Sequence, residues 1–370
     1  MRVLVDAREF VPGRITGIGR YLLNILLPLK DQGDAPECIL AGDPAAMPPE
    51  LAGPRFRRVA VPVRQTQLAD QWGLPHLARR WEADIFFSPY YKAPLRCPAS
   101  VVLSVPDVAF LHLPDGPRGL KRALVKAQLR ASLRRAVRVI AISDCTRRDL
   151  ISFEPSAAGK ITVVYNDYPA AWDRPLPGGS PVDRPFMLYV GTFKPYKHVD
   201  TLVRACGLLR ERFRERRWKL VLVGGAPPEE RAKIEALIRE KGLEDLVELR
   251  SGLPDDELRR HYAHARWFVT ASGYEGFGLP LLEAMAAGCP AVYHRAASMP
   301  EVVGDTGIAF DDPSPQTAAE AMARAMDEDE AGRDALGRRA RERAERKFAP
   351  GSCAAGTWDV IRDAVGGGGG

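Results

Sequence analysis

Nowhere in this 370-residue chain is there an apolar run near the ~18 residues that a membrane-spanning helix needs. Its first apolar stretch, residues 1–5, meets Asp6 at once, which is too short for a secretory leader, and none is expected. The six cysteines (Cys38, Cys97, Cys145, Cys206, Cys289, Cys353) are scattered, with no C-x-x-C pair. That excludes a zinc or disulfide framework and points to reduced thiols in a cytosolic protein. Histidine is equally sparse. His261 and His264 stand three apart with no cysteine nearby and read as helix surface residues, so no metal site is expected. There is no G-x-S-x-G elbow for covalent hydrolysis. The hydrophobic share of 46% and charged share of 27% exclude a disordered or collagen-like chain.

What is present is unevenly distributed. Residues 1–170 hold 24 Lys+Arg against 16 Asp+Glu, so the basic excess behind the +6 net charge lies in the N-terminal half. An anionic partner is expected there, a lipid surface before nucleic acid. Residues 118–138 concentrate it, with Arg118, Lys121, Arg122, Lys126, Arg130, Arg134, Arg135 and Arg138 and no acid. Interleaved with Leu120, Leu124, Val125, Leu129 and Leu133, they read as a basic amphipathic helix, fit either for an anionic membrane surface or for packing on its own domain.

Short apolar runs at 2–6, 84–88, 101–105, 138–142 and 161–165 alternate with helical stretches at 21–29, 118–136 and 145–152. Residues 169–185, rich in proline and glycine, interrupt this rhythm, and it then restarts. Strands are expected at 186–190, 219–223, 246–249, 267–270 and 290–293, and helices at 199–213, 228–241, 254–265, 279–287 and within 314–347. The fold class is therefore α/β, two doubly wound Rossmann-like domains with ligands expected in an interdomain cleft. The expected bounds are 1–170 for the N-terminal domain, 171–185 for a linker and 186–347 for the C-terminal domain. Residues 348–365 should form a helix packing back towards the first domain, and 366–370 a flexible tail.

Three segments suit an anionic ligand. Gly17 and Gly19 follow the first strand and open a helix, but Leu22 stands where the dinucleotide fingerprint wants its third glycine, and a plain tight turn explains them equally well. Gly191 and Thr192 lead a turn that contains Lys194 and Lys197 at a strand's carboxyl end. In Tyr274-Glu275-Gly276-Phe277-Gly278-Leu279-Pro280-Leu281-Leu282-Glu283, bare glycine amides precede a helix whose Pro280 sits near its start. Glu283 lies one turn into that helix among apolar neighbours, where a carboxylate needs a hydrogen-bonding partner such as ribose hydroxyls.

The spacing from Glu275 to Glu283, with E-G-F-G-L-P-L-L-E-A-M-A-A-G-C-P-A-V around it, resembles the donor site of glycosyltransferase family 4, retaining enzymes of GT-B fold. Residues 2–21, the A-I-S and T-R-R-D-L segments at 141–150, the strand and turn at 188–197 and P-E-V-V-G-D at 300–305 resemble that family in order. The likeness extends most closely to bacterial mannosyl- and rhamnosyltransferases of surface-polysaccharide and lipopolysaccharide synthesis. It implies that Glu275 contacts hydroxyls of the transferred sugar and that Glu283 holds the nucleotide ribose. The amides of Phe277, Gly278 and Leu279, beside Gly276, would take the diphosphate together with Lys197. Arg250 and Leu253 would edge the base, and Gly17 and Gly19 would close over the donor.

The chain departs from the family pattern in places. Thr192 replaces an arginine, Pro106-Asp107 replaces His-Asp, and Asn166-Asp167-Tyr168-Pro169 replaces N-G-V-D. Asp107 remains able to bind a sugar hydroxyl or receive the acceptor's proton, or merely to cap the turn after its strand. The resemblance thus implies a metal-independent hexosyltransferase without a resident cofactor, using a nucleotide-sugar with GDP favoured over UDP. The acceptor would be a glycan or lipid-linked glycan, the location cytoplasmic or peripheral at the membrane's inner face. A Rossmann-type NAD(P)-dependent oxidoreductase and a non-catalytic nucleic-acid binder are the rival readings.

Overall fold

The computed structural model of the chain describes every residue except 13, 62–66, 114, 115, 117, 175–177, 226 and 367–370. Its first strand, β1 (Arg2–Asp6), lies near the middle of a wholly parallel sheet. A strand covered on both faces is apolar throughout rather than alternating, and Val3, Leu4 and Val5 are fully buried. Val3 and Val5 pack into one core, Leu4 into the core on the opposite face. The other strands are β2 (Glu37–Gly42), β3 (Phe56–Ala60), β4 (Ile85–Ser88), β5 (Ser100–Val105), β6 (Arg138–Ala141) and β7 (Ile161–Val163), in the order β3-β2-β1-β4-β5-β6-β7. Helix α1 (Gly17–Leu26) covers one face. Helices α2 (Gln67–Arg80) and α3 (Gly119–Arg135) cover the other.

The second sheet is built from β8 (Phe186–Val190), β9 (Lys219–Val223), β10 (Val247–Arg250), β11 (Trp267–Thr270), β12 (Ala291–His294) and β13 (Gly307–Phe310). Its order is β10-β9-β8-β11-β12-β13, again all parallel. Between and beyond these strands run α4 (Val199–Leu209), α5 (Asp255–His264), α6 (Leu279–Ala286), α7 (Pro315–Asp327) and α8 (Glu330–Lys347). In each sheet the strand order reverses direction at one point, beside β1 in the first and beside β8 in the second, and the loops at the carboxyl ends there form the natural ligand crevice.

The two compact units are Met1–Asp167 with Gly351–Gly370, and Tyr168–Pro350. The stretch 171–185, expected as a linker, is part of the second unit. Trp172 packs edge-on against Tyr262 at 5.1 Å, and the Pro181 carbonyl accepts from Arg250. Residues 175–177 of that stretch lie outside the described residues. Other expectations shift in detail. The 314–347 helix breaks at Glu328, and Asp329 caps α8. The helix expected to run to 213 stops at Leu209. Strands β2, β3 and β13 and helix α2 were not foreseen. Pro75 sits inside α2, and prolines crowd the region of β2 and β3, so local signals favour turns while sheet pairing decides otherwise.

The final helix, α9 (Ser352–Gly366), belongs to the first unit and takes in Gly366, which the sequence had assigned to the tail; 367–370 lie outside the described residues. It buries Cys353, Trp358 and Ile361 against Leu22 and Ile25. Trp358 Nε1 donates to the Ile25 carbonyl at 2.7 Å, so the last helix is sealed onto the first through an indole and its polar handle. Trp358→Ala should therefore destabilise the first unit by about 3–5 kcal/mol, the usual cost of an emptied aromatic site. A urea titration should show a lowered midpoint; an unchanged midpoint would mean that α9 is not part of this core.

Candidate functional site

The crevice of the second sheet holds the segments singled out in the sequence. After β8 the chain turns through Gly191 and Thr192. Tyr189 Oη donates to the Thr192 carbonyl at 2.8 Å and pins that turn from below. Burial pushes this phenol well up in pKa, with Glu275 adding to the effect. Its anchoring role was not foreseen; a tyrosine in an otherwise apolar strand was the signal. The turn packs so closely on the next strand's end that a Cβ on Gly224 would sit 1.7 Å from the Gly191 carbonyl oxygen. Only glycine fits there.

From the neighbouring strand β11, residues 271–278 reach the same place. Gly273 N donates to the Tyr196 carbonyl at 2.8 Å. Lys197 Nζ meets Glu275 Oε1 at 2.5 Å, with only 13% and 20% of the two side chains exposed. The ammonium also lies 5.1 Å from the Tyr196 ring centre. Ser298 Oγ holds the Glu275 carbonyl at 2.8 Å. Gly278 adopts φ +96°, a left-handed conformation suited to glycine, and starts α6, with Pro280 in its first turn. The opening amides of a helix have no intrahelical acceptor, so this terminus favours an anion beside Lys197. The structure thus brings Gly191, Thr192, Lys197, Glu275, Gly276, Phe277, Gly278 and Leu279 to one crevice.

Glu283, one turn into α6, accepts a 2.8 Å hydrogen bond from Tyr262 Oη, a partner the sequence did not reveal. Arg250 and Leu253 stand where β10 ends. The Arg250 guanidinium is engaged by Glu248 Oε1 at 2.7 Å, by His261 Nε2 at 2.7 Å and by the Pro181 carbonyl. His261 is not a surface residue as expected but fully buried. Its Nδ1–H donates to the Glu257 carbonyl, which leaves Nε2 to accept from Arg250. Burial lowers its pKa and Arg250 lowers it further, so the imidazole is neutral and in one tautomer.

The family profile described as Glycosyl transferases group 1 matches residues 175–343, and that of Glycosyltransferase Family 4 matches residues 15–167. The chain belongs to the family 4 glycosyltransferases. Among its relatives, the O-antigen chain mannosyltransferase B of Escherichia coli is 28% identical over 343 residues, 83% of this chain and 86% of that protein. The sucrose-phosphate synthase of Thermosynechococcus elongatus superposes with a TM-score of 0.78 at 20% identity, over 98% of both chains. HepE of Anabaena, solved in complex with UDP and glucose, gives 0.74 at 20% identity, over 98% of this chain and 100% of that one. The two parallel-sheet units are accordingly the Rossmann-like domains of the GT-B fold. Membership sets aside the oxidoreductase and nucleic-acid-binding readings.

The glycosyltransferase's first unit tells a mixed story for the remaining residues. Gly17 opens α1. The Gly19 amide is taken by its own helix cap, donating to Thr16 Oγ1 at 2.9 Å. Asp107 Oδ1 accepts from the Ala109 amide at 3.0 Å, a turn-holding contact that occupies one of its two carboxylate oxygens. The crevice beside β1 holds charges the sequence did not single out. Arg8 binds Asp6 through two nitrogens, at 2.6 and 2.8 Å, and Asp70 at 2.5 Å, all buried. Burial works against this cation, but the two carboxylates hold its pKa above the ordinary value. Tyr90 Oη, nearby in the carboxyl-end loop of β4, is buried with no hydrogen-bond partner among the described residues.

Among the described residues, no three His, Cys, Asp or Glu side chains cluster to hold a metal ion. Asp327 and Asp329 do have Asp-x-Asp spacing, which the sequence reading overlooked. Asp327 pairs with Arg212 and Arg216, and Asp329 caps α8.

Asp107 lends itself to a clean separation of roles. Asp107→Asn keeps an oxygen to cap Ala109 but loses the charge, whereas Asp107→Ala loses both. If the carboxylate serves the acceptor, Asn should cut turnover ~10²-fold or more, the scale of general acid–base contributions, with the melting temperature held. If it only caps, Asn should be near normal, and Ala should lose about 1 kcal/mol of stability.

Proposed function

We propose that this glycosyltransferase is a retaining, metal-independent enzyme. It would move a hexose, mannose or a close relative, from a nucleotide-diphosphate donor to a glycan or lipid-linked acceptor in bacterial polysaccharide or lipopolysaccharide synthesis. The observation that carries this reading is the juxtaposition of Lys197, Glu275 and the amino end of α6 in one crevice. Cleavage of the sugar–phosphate bond builds negative charge on the diphosphate and positive charge on the sugar ring. Preorganised amides and an ammonium stabilise the first, a carboxylate close by the second, without a divalent cation. The mannosyltransferase name of the Escherichia coli relative supports the choice of sugar. The resemblance of the 191–197 turn and the Glu275 segment to mannosyl- and rhamnosyltransferases supports a GDP-linked donor over a UDP-linked one. HepE was captured with UDP and glucose, but at 20% identity that likeness bears on the fold alone.

The roles of the two glutamates divide cleanly. Glu283→Ala should weaken binding of bare GDP, because Glu283 would hold the ribose. Glu275→Ala should leave GDP affinity near normal and lower turnover. A hydrogen bond to a charged group is worth ~1.5–3 kcal/mol, so the first effect should be at least ten-fold. Calorimetry with the nucleotide alone reads the split, and equal effects would overturn these assignments. Turnover in EDTA should equal that with Mg²⁺ or Mn²⁺; loss in chelator restored by either ion would overturn the metal-free mechanism.

The location we propose is cytoplasmic and peripheral at the inner membrane face, through α3. No helix among the described residues is long and apolar enough to span a bilayer. The two halves of α3 differ. Its C-terminal half is docked: Leu129, Ser132 and Leu133 are buried, Arg130 and Arg134 pair with Glu154, and Arg135 donates to the carbonyls of Cys97 and Ala99. Its N-terminal half instead exposes Leu120 (77%) and Leu124 (50%) beside Lys121. Apolar residues flanked by basic ones suit an anionic interface. Replacing Lys121 and Lys126 with Gln and Leu120 and Leu124 with Ser should reduce co-sedimentation with phosphatidylglycerol vesicles. Unchanged sedimentation would make this half of α3 an ordinary solvated face.

A further inference from the structure

The residues where the chain enters the second unit do more than connect. That unit begins at Tyr168, whose amide donates to the Phe348 carbonyl, near the point where the chain leaves it again. A single turn follows, Ala170–Asp173, and it packs on α6, the helix that carries Glu283. Its one aromatic residue, Trp172, sets its ring edge-on to Tyr262 with centroids 5.1 Å apart and planes at 63°. Phe268 of β11 stacks on the same tyrosine, 5.9 Å away at 24°. Tyr262 is fully buried, and its hydroxyl donates to Glu283 Oε2 at 2.8 Å.

We infer that Tyr262 is a positioning residue for nucleotide binding and that Trp172 of the entry segment sets it in place, so that the seat of this segment and the affinity for the nucleotide depend on each other. The inference rests on the proposed role of Glu283 as a ribose partner and extends it outward. A carboxylate on a helix can swing about its side-chain torsions, and each rotor frozen before the ligand arrives is one whose ordering cost is not met on binding. A phenol ring confined between an indole edge and a phenyl face has a fixed axis. Its hydroxyl therefore holds one oxygen of Glu283 in one position. A carboxylate accepts several hydrogen bonds, so this contact is compatible with ribose hydroxyls on the same group.

The hydroxyl is not needed for packing. A phenylalanine at 262 would fill the same volume, and Trp172 is only half-buried. The coupling must also run in reverse. Whatever displaces the entry segment loosens Glu283, and whatever binds Glu283 favours the seated segment, by the same factor. The segment through which the chain passes between its units thereby registers whether the donor site is filled.

The test titrates GDP and, separately, UDP into the full chain by calorimetry. The variants are Tyr262→Phe, Trp172→Ala, Trp172→Phe, Glu283→Ala and the double change Tyr262→Phe with Glu283→Ala. Tyr262→Phe should raise the nucleotide Kd about ten-fold, the low end for a hydrogen bond to a charged group. Trp172→Ala should also raise it, and Trp172→Phe, which keeps an aromatic edge, should restore it to within about two-fold of the parent. In the Glu283→Ala background, which leaves the hydroxyl no carboxylate to hold, Tyr262→Phe should lose most of its effect, because contacting residues are not additive. Steady-state kinetics should show the donor KM rising by a larger factor than kcat falls. An unchanged Kd in Tyr262→Phe or Trp172→Ala, or full additivity in the double variant, overturns the inference while leaving the donor site intact. If the parent chain binds neither nucleotide, the donor-site reading itself fails, and this inference with it.

Discussion

Lys197 and Glu275 lie 78 residues apart in the chain and 2.5 Å apart in space. They meet because β8 and β11 are neighbours at the one point where the second sheet reverses its strand order. Every other feature of the crevice serves that meeting. Gly224 leaves room for the β8 turn, Tyr189 pins it, and Gly273 ties it to the opposite loop. The ion pair neutralises two charges that are mostly out of water, which spares each the cost of being buried alone. A diphosphate would compete with the carboxylate for the ammonium. The proposed donor would therefore meet a site whose two charged groups are already in position, at the cost of exchanging one partner for another.

The first unit has a reversal point of the same kind beside β1, and it is charged in a different way. There Arg8 is enclosed by Asp6 and Asp70, an arrangement that removing one member would break at considerable cost, since the remaining charge would be buried unpaired. Such a cluster fixes the loop after β1 to α2. Of the two expected glycines, Gly19 gives its amide to its own helix cap. The two crevices share a topology but not a chemistry. The second presents helix amides, an ammonium and a carboxylate to a ligand, whereas the first spends most of its charge on holding itself together.

Much of this was legible in the residues. Alternation of apolar runs and helical stretches predicts two doubly wound sheets, because a strand covered on both sides must be apolar throughout, as at Arg2–Asp6 and Phe186–Val190. Glycine and proline at 276–280 mark the start of a helix, because their backbone preferences act locally. The strands at 37–42 and 56–60 escaped because their proline-rich surroundings argue for turns, and only pairing, of 37–42 with β1 and of 56–60 with 37–42, makes them strands. His261 was misplaced to the surface because i, i+3 spacing says where two residues lie relative to each other, not which face is buried.

What the sequence by itself determined is therefore the alternating βα pattern with most of its elements, the family and the residue types that gather at the crevice of the second sheet, all of which follow from short-range preferences and motif spacing. Only the tertiary structure decided who those residues face. It paired Lys197 with Glu275, gave Glu283 a tyrosine from α5, turned Arg250 inward to a neutral histidine and drew residues 168–173 into the second unit. It also returned the last helix to the first core, where Trp358 meets Ile25 across 333 residues of chain. The physical reason is the same throughout. Side-chain partners are chosen by distances between elements remote in sequence, and those distances exist only once the sheets have formed and the helices have packed upon them.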